Sequence, residues 1–501
     1  MIRPRFAPAP LRRMHHAGRP PRVREGGAII VLVAVTLILM IGFVGLAIDL
    51  GQMYNRKAEM HGVAQAVALA AAGQLNGTSA GIDAALVKAS EVAILYRYRY
   101  NKLKFGGSDT ALTFSSSPSA TGSWLPAGSA KVSPANVYYA KVDASLLTPG
   151  SDVIRTLFIH TLPSHTASVS VNHVAIAGRT SINMTPLGVC ALSSTPAAAR
   201  VNTNTPVLTE LVEFGFRRGV TYDLMQLNPN GTTPENFLID PIAAPGSTSS
   251  PAHMTDVVAA PFVCSGAMWM PRVSGGAIGL QRPFPLATMA AYLNTRFNIY
   301  AGTNCQPSGA APDANVKPFM PNTASTNWMV SAPAGQSATS IILNGKLLTA
   351  ADRPDTAGNT PGSFGPLWVD AKAVPFAQYT PGVPEPAGGY TPFSTTQWPA
   401  LYMPGVTATG YPTAPAANSP YLAGASNYST SPGSVFATRF RRMLYVPLLA
   451  CPVAAGTFVS GNIIGIGKFM MTVKATSSAL YGEFAGAASE DGLSGKVEVF
   501  Q

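Results

Sequence analysis

The chain has 501 residues, of which only 11% are charged, and it contains 47 glycines and 43 prolines. An ordinary soluble domain is about 25% charged, so this composition argues against a cytosolic enzyme and favours β-rich or loop-rich structure outside any helices. The formal net charge of +11 is unevenly placed, because seven arginines lie in the first 26 residues beside one acidic residue, Glu25. The remainder is weakly basic for its size, which is poor evidence for nucleic-acid binding.

The first element in chain order is an apolar run of 21 residues without charge, from Ala28 to Ile48. A helix of that length spans about 31 Å, the thickness of a bilayer's hydrocarbon core. Because the arginines precede the run, residues 1–27 are predicted to be a cytoplasmic basic tail and residues 28–48 a transmembrane helix. The rest of the chain is then expected on the opposite side of the membrane.

Two forms of processing compete with a retained anchor. A cleaved secretory signal is disfavoured, because the apolar run exceeds a signal's usual hydrophobic core and no small-x-small cleavage site ends it. A prepilin-type cut after Gly26 or Gly27 is possible but is not favoured, because the expected glutamate is missing. Type IV pilins usually carry glutamate at the fifth mature position, which here is Val31 or Leu32.

The helix is predicted to continue beyond the membrane. Good helix formers run on from Asp49 without proline until Gly73 and the Asn76-Gly77 pair. The far end of this stretch is nearly all alanine, and small side chains let helix backbones approach closely. Two interpretations stay open: the alanine-rich face rests on the chain's own domain, or it docks against a partner's helix.

These residues resemble the N-terminal segment of the TadE/TadG-like proteins of the Tad (tight adherence, Flp pilus) system. The family segment has an uncharged span, a Gly-x-Ala-Ile-Asp-x-Gly exit, a Tyr-x-x-Arg stretch and an alanine block. The matching positions are Gly45, Ala47, Ile48, Asp49, Gly51, Tyr54 and Ala68 to Ala72. The sequence departs from the pattern at Met60 and His61, which replace Leu-Gln, and at Gln65, which replaces an aspartate.

The resemblance implies a non-enzymatic inner-membrane component of a Tad/Flp pilus assembly machine, with its C-terminal region in the periplasm. It implies TadE/TadF-like minor pilins and pilin as partners, a link to cell adhesion, and neither cofactor nor nucleic acid. The positions expected at the membrane exit and in helix docking are Gly45, Asp49, Gly51, Tyr54, Ala64, Ala68 and Ala71. The alternative is a membrane-tethered periplasmic enzyme or glycan-binding adhesin that uses a Tad-type anchor.

The resemblance extends more weakly to VLTELVEFGFRRGVTYDL, ENFLIDP, LNTRFNIY and GIGKFMMTVKATSSALYGEFAG, which look like the periplasmic region of proteobacterial TadG-like proteins. Many TadG-like proteins carry a von Willebrand A domain with Asp-x-Ser-x-Ser metal ligands. That motif does not occur in this sequence. A member of this kind would lack the metal site.

The exported region is predicted to be α+β. Residues 49–105 form a helical stalk whose second helix covers 82–100, and residues 106–180 form a small α+β unit. Within that unit VYYAKVDAS and ASVSVNHVAIAG alternate as strands do, whereas SDVIRTLFIHTL is interpreted as a helix begun by Ser151 and Asp152. Residues 181–501 form a larger β-rich, loop-rich domain with one clear helix, PLATMAAYLNTRF.

Residues 351–436 read as a long loop rich in proline, glycine and aromatic residues. Long loops in compact domains are usually functional or mobile. Exposed aromatic side chains would suit an adhesive or glycan-contacting surface. Covering the domain's own core is the more ordinary role and is favoured.

All four cysteines lie beyond the membrane span, and an even number in an oxidising compartment predicts two disulfides. Three connectivities are available. We favour Cys190–Cys451, which would join PLGVCAL to PLLACPV, and Cys264–Cys305. The spacing contains no Cys-x-x-Cys and supports neither zinc nor thioredoxin chemistry.

No motif predicts catalysis or a metal. The Gly-x-Ser-x-Gly string at 77–81 lies between two predicted helices, whereas a nucleophile elbow needs a strand-to-helix turn. Asp143, His160, His165 and His173 are scattered without metal-ligand spacing. Asp313 and Asn315 offer two oxygens for calcium, which is too few to assign a site.

Overall fold

The computed structural model describes residues 26–119, 121–134, 137–159, 167–319, 335–352, 360–403, 419–493 and 495–500. Most of the basic tail, together with His160 and His165, lies outside these residues. The α-helices of the described part are α1 Gly26–Ala72, α2 Ser79–Ala93, α3 Ala127–Ala130, α4 Asp256–Ser265, α5 Leu286–Leu293 and α6 Trp398–Leu401.

The strands of the described part fall into two groups. The smaller unit is built from β1 Arg97–Tyr98, β2 Leu103–Lys104, β3 Leu112–Ser115, β4 Tyr139–Asp143, β5 Val153–Arg155, β6 Ser168–Ser170 and β7 Val174–Arg179. The larger unit continues with β8 Leu187–Cys190, β9 Ala198–Val201, β10 Thr209–Glu213, β11 Phe216–Arg217, β12 Thr221–Asp223, β13 Asn236–Ile239, β14 Ile278–Gln281, β15 Ser340–Leu343, β16 Lys346–Thr349, β17 Met443–Leu449, β18 Phe458–Gly461, β19 Ile463–Met471 and β20 Tyr481–Ala487. The last strand is β21 Val497–Val499.

Helix α1 is a single uninterrupted helix of 47 residues, about 70 Å long. It confirms that the helix continues past Asp49, and it ends just before Gly73. It is long and apolar enough to cross a membrane, and its apolar half from Ile29 onward is mostly exposed on the protein. The Arg179 guanidinium donates a hydrogen bond to the Gly73 carbonyl (2.6 Å), placing a cation at the helix C-terminus where it is stabilising.

The smaller unit contains a four-stranded antiparallel sheet, in the order β21-β7-β4-β3, which is covered by the second half of α1, and α2 packs against α1. The C-terminal strand joins it through the pair Val497 and Arg179. The predicted boundaries at 105 and 180 stay predictions, and two sets of contacts cross them. The stalk shares one hydrophobic core with the 106–180 unit, and the last strand leaves the 181–501 domain to close this sheet.

Two local predictions of secondary structure in this unit are wrong. The helix predicted over 82–100 ends at Ala93, and the basic aromatic stretch after it forms the hairpin β1–β2. The helix predicted from Ser151 is instead strand β5, which pairs with β6. Pairing of β5 with β6 outweighs the weak local preference that Ser151 and Asp152 give for a helix start.

The larger unit is organised by an eight-stranded sheet in the order β12-β20-β19-β17-β8-β13-β14-β18. Its neighbours are antiparallel except β17 and β8, which run parallel. Phe216 contacts both Phe469 and Phe484 with ring centroids 5.3 Å apart. The segments that contain VLTELVEFGFRRG and GIGKFMMTVKATSSALYGEFAG thus pack against each other in the core. Helix α5 lies within the predicted helix PLATMAAYLNTRF, and the α+β class is confirmed.

The described part of the 351–436 region covers the core. Trp368 and Trp398 are fully buried and stacked, with ring centroids 4.0 Å apart, and Tyr402 packs edge-on against Trp368. Tyr421 is also buried. These four residues therefore have the more ordinary role that was favoured for the region, which is to cover the domain's own core.

Both favoured disulfides are present. Cys190 bonds to Cys451, linking the neighbouring strands β8 and β17 at their ends, and Cys264 in α4 bonds to Cys305. Glu235 lies beside the first bond, and its carboxylate with the two sulfurs forms a cluster of potential metal ligands. Because both sulfurs are consumed by the disulfide, the cluster offers no thiolate to a metal.

Candidate functional site on the N-terminal helix

Asp49, the first charged residue after the apolar run, is buried (1% exposed) by a segment more than 100 positions away in sequence. Its carboxylate accepts three consecutive backbone N–H bonds, from Leu157 (2.9 Å), Phe158 (2.8 Å) and Ile159 (2.8 Å). Bonds from N–H groups to a carboxylate are charge-assisted and stronger than neutral ones. Asp49 therefore fixes the 157–159 segment to the helix at the end of its apolar half.

Gly45 lies one turn below Asp49 and receives the Phe158 side chain. A Cβ atom placed on Gly45 would lie 2.2 Å from Cγ of Phe158, far inside contact distance. Glycine is thus required here by the close approach of an aromatic ring. Gly45 and Asp49 act on the same segment, one by accommodating its side chain and the other by binding its backbone.

Arg56 and Glu59 repeat this arrangement further along the helix. The Arg56 guanidinium donates to the Ser151 carbonyl, pairs with Glu59 (3.0 Å) and stacks 5.0 Å from the Tyr98 ring. The Glu59 carboxylate also accepts from the backbone N–H groups of Arg99 (3.1 Å) and Tyr100 (3.0 Å). Both of these residues have positive φ, a conformation that is costly outside glycine. Glu59 therefore stabilises the strained turn between β1 and β2.

Replacing Glu59 with alanine is expected to loosen that turn by about 2 kcal/mol, because two N–H groups in a strained turn lose a charged acceptor. The amides of Arg99 and Tyr100 should then exchange with deuterium about 30-fold faster in the full-length protein. Glu91→Ala is the matched control, since Glu91 forms only an exposed ion pair with Lys88. Equal exchange in the two variants would contradict a stabilising role for Glu59.

The alanine-rich end of α1 packs inside the protein. Ala64, Ala68 and Ala71 are fully buried, in one core with α2 and the sheet strands β4 and β7. Of the two interpretations left open, the structure shows the helix resting on its own domain. The prediction that these three positions dock a partner stays a prediction, and in the folded chain they contact α2 and the sheet.

Gly51 and Tyr54 point the other way. Tyr54 is 78% exposed and Leu50 is 52% exposed, while a Cβ on Gly51 would find no atom within 4 Å. Ala47 and Ala58 are exposed as well, and they continue the same side of the helix at spacings of three and four residues. We call these five residues the outer face. It lies directly beyond the apolar half of α1 and is not covered by the described part of the chain.

His61, one of the departures from the family pattern, contacts His173 at the start of β7. Their ring centroids are 4.5 Å apart. Burial lowers the pKa of His173, and the neighbouring His61 and Lys57 lower it further. Asp143, by contrast, accepts hydrogen bonds from Ser145 two positions later and from Asn172 just before β7. These groups are tied into separate contacts and do not converge on one point.

The N-terminal helix is the part of the chain that matches a known protein family. Residues 26–74 match the family model of Flp pilus-assembly TadE/G-like proteins. The match covers α1 with the two residues after it, so the resemblance noted in the sequence is confirmed for this segment. No curated protein and no solved structure matches the chain. The longer resemblance, to the segments in the larger unit, stays a prediction.

The TadE/G-like segment therefore contains two sets of residues. Gly45, Asp49 and the alanine block bind parts of the same chain. Gly51 and Tyr54 belong to the outer face. The predicted positions were expected at the membrane exit and in helix docking, and neither Arg56 nor Glu59 was among them. Their role has no specific signal in the sequence, because a charged side chain just beyond a membrane span can equally be solvated by water or by lipid headgroups.

Proposed function

We propose that this chain is a membrane-anchored, non-enzymatic component of a Tad/Flp pilus assembly machine. The observation that carries the proposal is the family match over α1, a helix that is long and apolar enough to be a membrane anchor. The arginines before the apolar run support a cytoplasmic N-terminus at the inner membrane, with the folded units in the periplasm. The two disulfides fit an oxidising compartment of that kind.

The partners proposed are TadE/TadF-like minor pilins and pilin, which would bind the outer face. Gly51 and the alanines allow a second helix to approach closely, while Leu50 and Tyr54 supply apolar contact area. The buried positions Gly45, Asp49, Ala64, Ala68 and Ala71 act indirectly, by holding the folded units in a fixed relation to that face. In this proposal the outer face of α1 is the part that binds the partners in pilus assembly.

The non-enzymatic part of the proposal is supported by how the larger unit uses its acidic groups. The Glu483 carboxylate is fully buried and accepts backbone N–H bonds from Val369, Asp370 and Ala371. Burial raises its pKa well above the usual carboxyl range. Asp313, which was considered as a calcium ligand, accepts hydrogen bonds from the Tyr421 hydroxyl and from the Arg442 backbone N–H. These bonds join separate segments of the fold.

The docking proposal predicts that Tyr54→Asp reduces surface pili at least about tenfold in the native host, the loss expected for an aromatic hot spot worth about 2 kcal/mol. Photoreactive benzoylphenylalanine at Leu50 or Tyr54 should capture a pilin-sized partner. The same group at Val87, which is 60% exposed on α2, is the control. Normal piliation in Tyr54→Asp, or equal capture from Val87, would overturn docking through the outer face.

A further inference from the structure

The segment 157–159, whose backbone N–H groups donate to Asp49, places apolar side chains beside the proposed membrane span. Leu157 is 56% exposed and Phe158 is 36% exposed, although both are large and apolar. Together with Ile159 they lie against α1 at the point where its apolar half ends. Exposed apolar side chains that cluster at one place on a protein indicate a contact with something apolar.

A groove of 290 Å³ lies between this segment and the helix. Among the residues that the structure describes, its lining consists of apolar residues and glycine: Ile38, Leu39, Gly42, Phe43, Leu46, Phe158 and Ile159. The five helix residues belong to the outer half of the apolar run. Ile38 lies about 16 Å along the helix axis from Asp49, which is half the thickness of a hydrocarbon core. The groove is therefore at lipid depth wherever α1 spans a bilayer.

The hydrogen bonds to Asp49 explain how a loop can occupy such a place. Hydrocarbon offers no partner to a backbone N–H, so irregular chain is excluded from it unless its polar groups are satisfied by protein. The N–H groups of Leu157, Phe158 and Ile159 all donate to the Asp49 carboxylate. The same bonds satisfy the buried charge of Asp49, which would otherwise be costly at the edge of a membrane.

We propose that Leu157–Ile159 is a membrane wedge, a second point of membrane contact that enters the leaflet on the side of the folded units. The groove beneath it takes a lipid acyl chain, because lipid is the apolar material present at that depth. This inference rests on the membrane anchoring in the proposed function. It adds that the folded units are held on the bilayer surface at two points, so that the outer face of α1 has a fixed orientation.

Tryptophan quenching by brominated lipid tests the wedge. Full-length protein would be placed in phosphatidylcholine nanodiscs, with or without bromine at the 6,7 positions of an acyl chain. Phe158→Trp reports on the wedge, with Leu157→Trp as a second reporter in case the first variant does not fold. Phe43→Trp reports on the anchor, and Val435→Trp, at a position 92% exposed in the larger unit, reports on solvent. The signal of the five native tryptophans is subtracted using the unsubstituted protein.

Quenching of the wedge reporter to within about twofold of Phe43→Trp, with none at Val435→Trp, is the expected result. Quenching at Phe43→Trp alone would overturn the wedge and leave the anchor intact. No quenching at either site would overturn both. Asp49→Ala in the Leu157→Trp background should lower wedge quenching by at least half, and unchanged quenching would overturn the part assigned to the carboxylate.

Discussion

Replacing Asp49 with alanine is expected to release the 157–159 segment from α1 at a local cost of about 4 kcal/mol. Three charge-assisted hydrogen bonds are lost together, and each N–H left without a partner at an apolar boundary costs about 1–3 kcal/mol. The sum is reduced because the released loop can turn its backbone toward water. Amides of residues 157–159 should exchange with deuterium about 1,000-fold faster.

Two further variants make this result specific. Asp49→Asn keeps the shape of the side chain but only one good acceptor oxygen, so its effect should be intermediate. Asp83→Ala removes an exposed carboxylate that pairs with Lys131 and should leave exchange at 157–159 unchanged. If the amides of residues 157–159 exchanged at the wild-type rate in Asp49→Ala, the hydrogen bonds between Asp49 and this segment would not form in the membrane. An unchanged Asp49→Asn would show that the charge is dispensable.

Much of the helix could be predicted because its causes are local. The absence of charge and proline, the alanine preference for helix and the Gly73 stop together determine where α1 runs. The strands with clear alternation, such as VYYAKVDAS, were predicted for the same reason. SDVIRTLFIHTL was not, because its conformation depends on a partner strand and on contacts made by its first residues. Ser151 gives its carbonyl to Arg56, and Asp152 accepts from Ser170.

The residues that attract notice in the sequence do not reveal the contacts that they make. The sequence predicts that Asp49 follows a membrane span, yet its three donors lie more than 100 positions later. The same holds for Ala64, whose neighbours come from α2 and the sheet. Nor does composition reveal that the C-terminal strand β21 returns to pair with β7. Contacts between distant segments decide which face of a long helix is covered, and hence which face is free for a partner.

Arg442→Met is expected to be the most destabilising single change in the larger unit. The Arg442 side chain is fully buried, and burial lowers its pKa to about 10, so it is still charged at neutral pH. Its guanidinium donates to the carbonyls of four residues: Asn315 (3.0 Å), Lys317 (2.8 Å), Met471 (2.9 Å) and Thr472 (3.0 Å). These carbonyls belong to two separate segments, which the arginine holds together.

Methionine would fill the space among the rings of Phe297 and Phe319, which lie 4.6 and 5.2 Å from the guanidinium carbon, but it would remove the guanidinium donors from the four carbonyls, of which Thr472 keeps the Phe319 N–H. We expect a loss of about 4 kcal/mol, which lowers the thermal midpoint by roughly 10 °C in full-length protein in detergent. Arg442→Lys should lose less, since an ammonium keeps the charge but not the planar fork.

Arg439→Met is the control for Arg442→Met, because Arg439 is three positions earlier and exposed, so its loss should change the midpoint by no more than about 1–2 °C. A midpoint for Arg442→Met equal to that of the control would mean that water satisfies the carbonyls once the guanidinium is gone. A midpoint above wild type would mean that burying the charge costs more than its hydrogen bonds return, as happens for some buried ionic groups. The expected fall instead follows from geometry. Methionine replaces the volume and apolar contacts of Arg442, but it cannot donate to backbone groups that the fold has already removed from solvent.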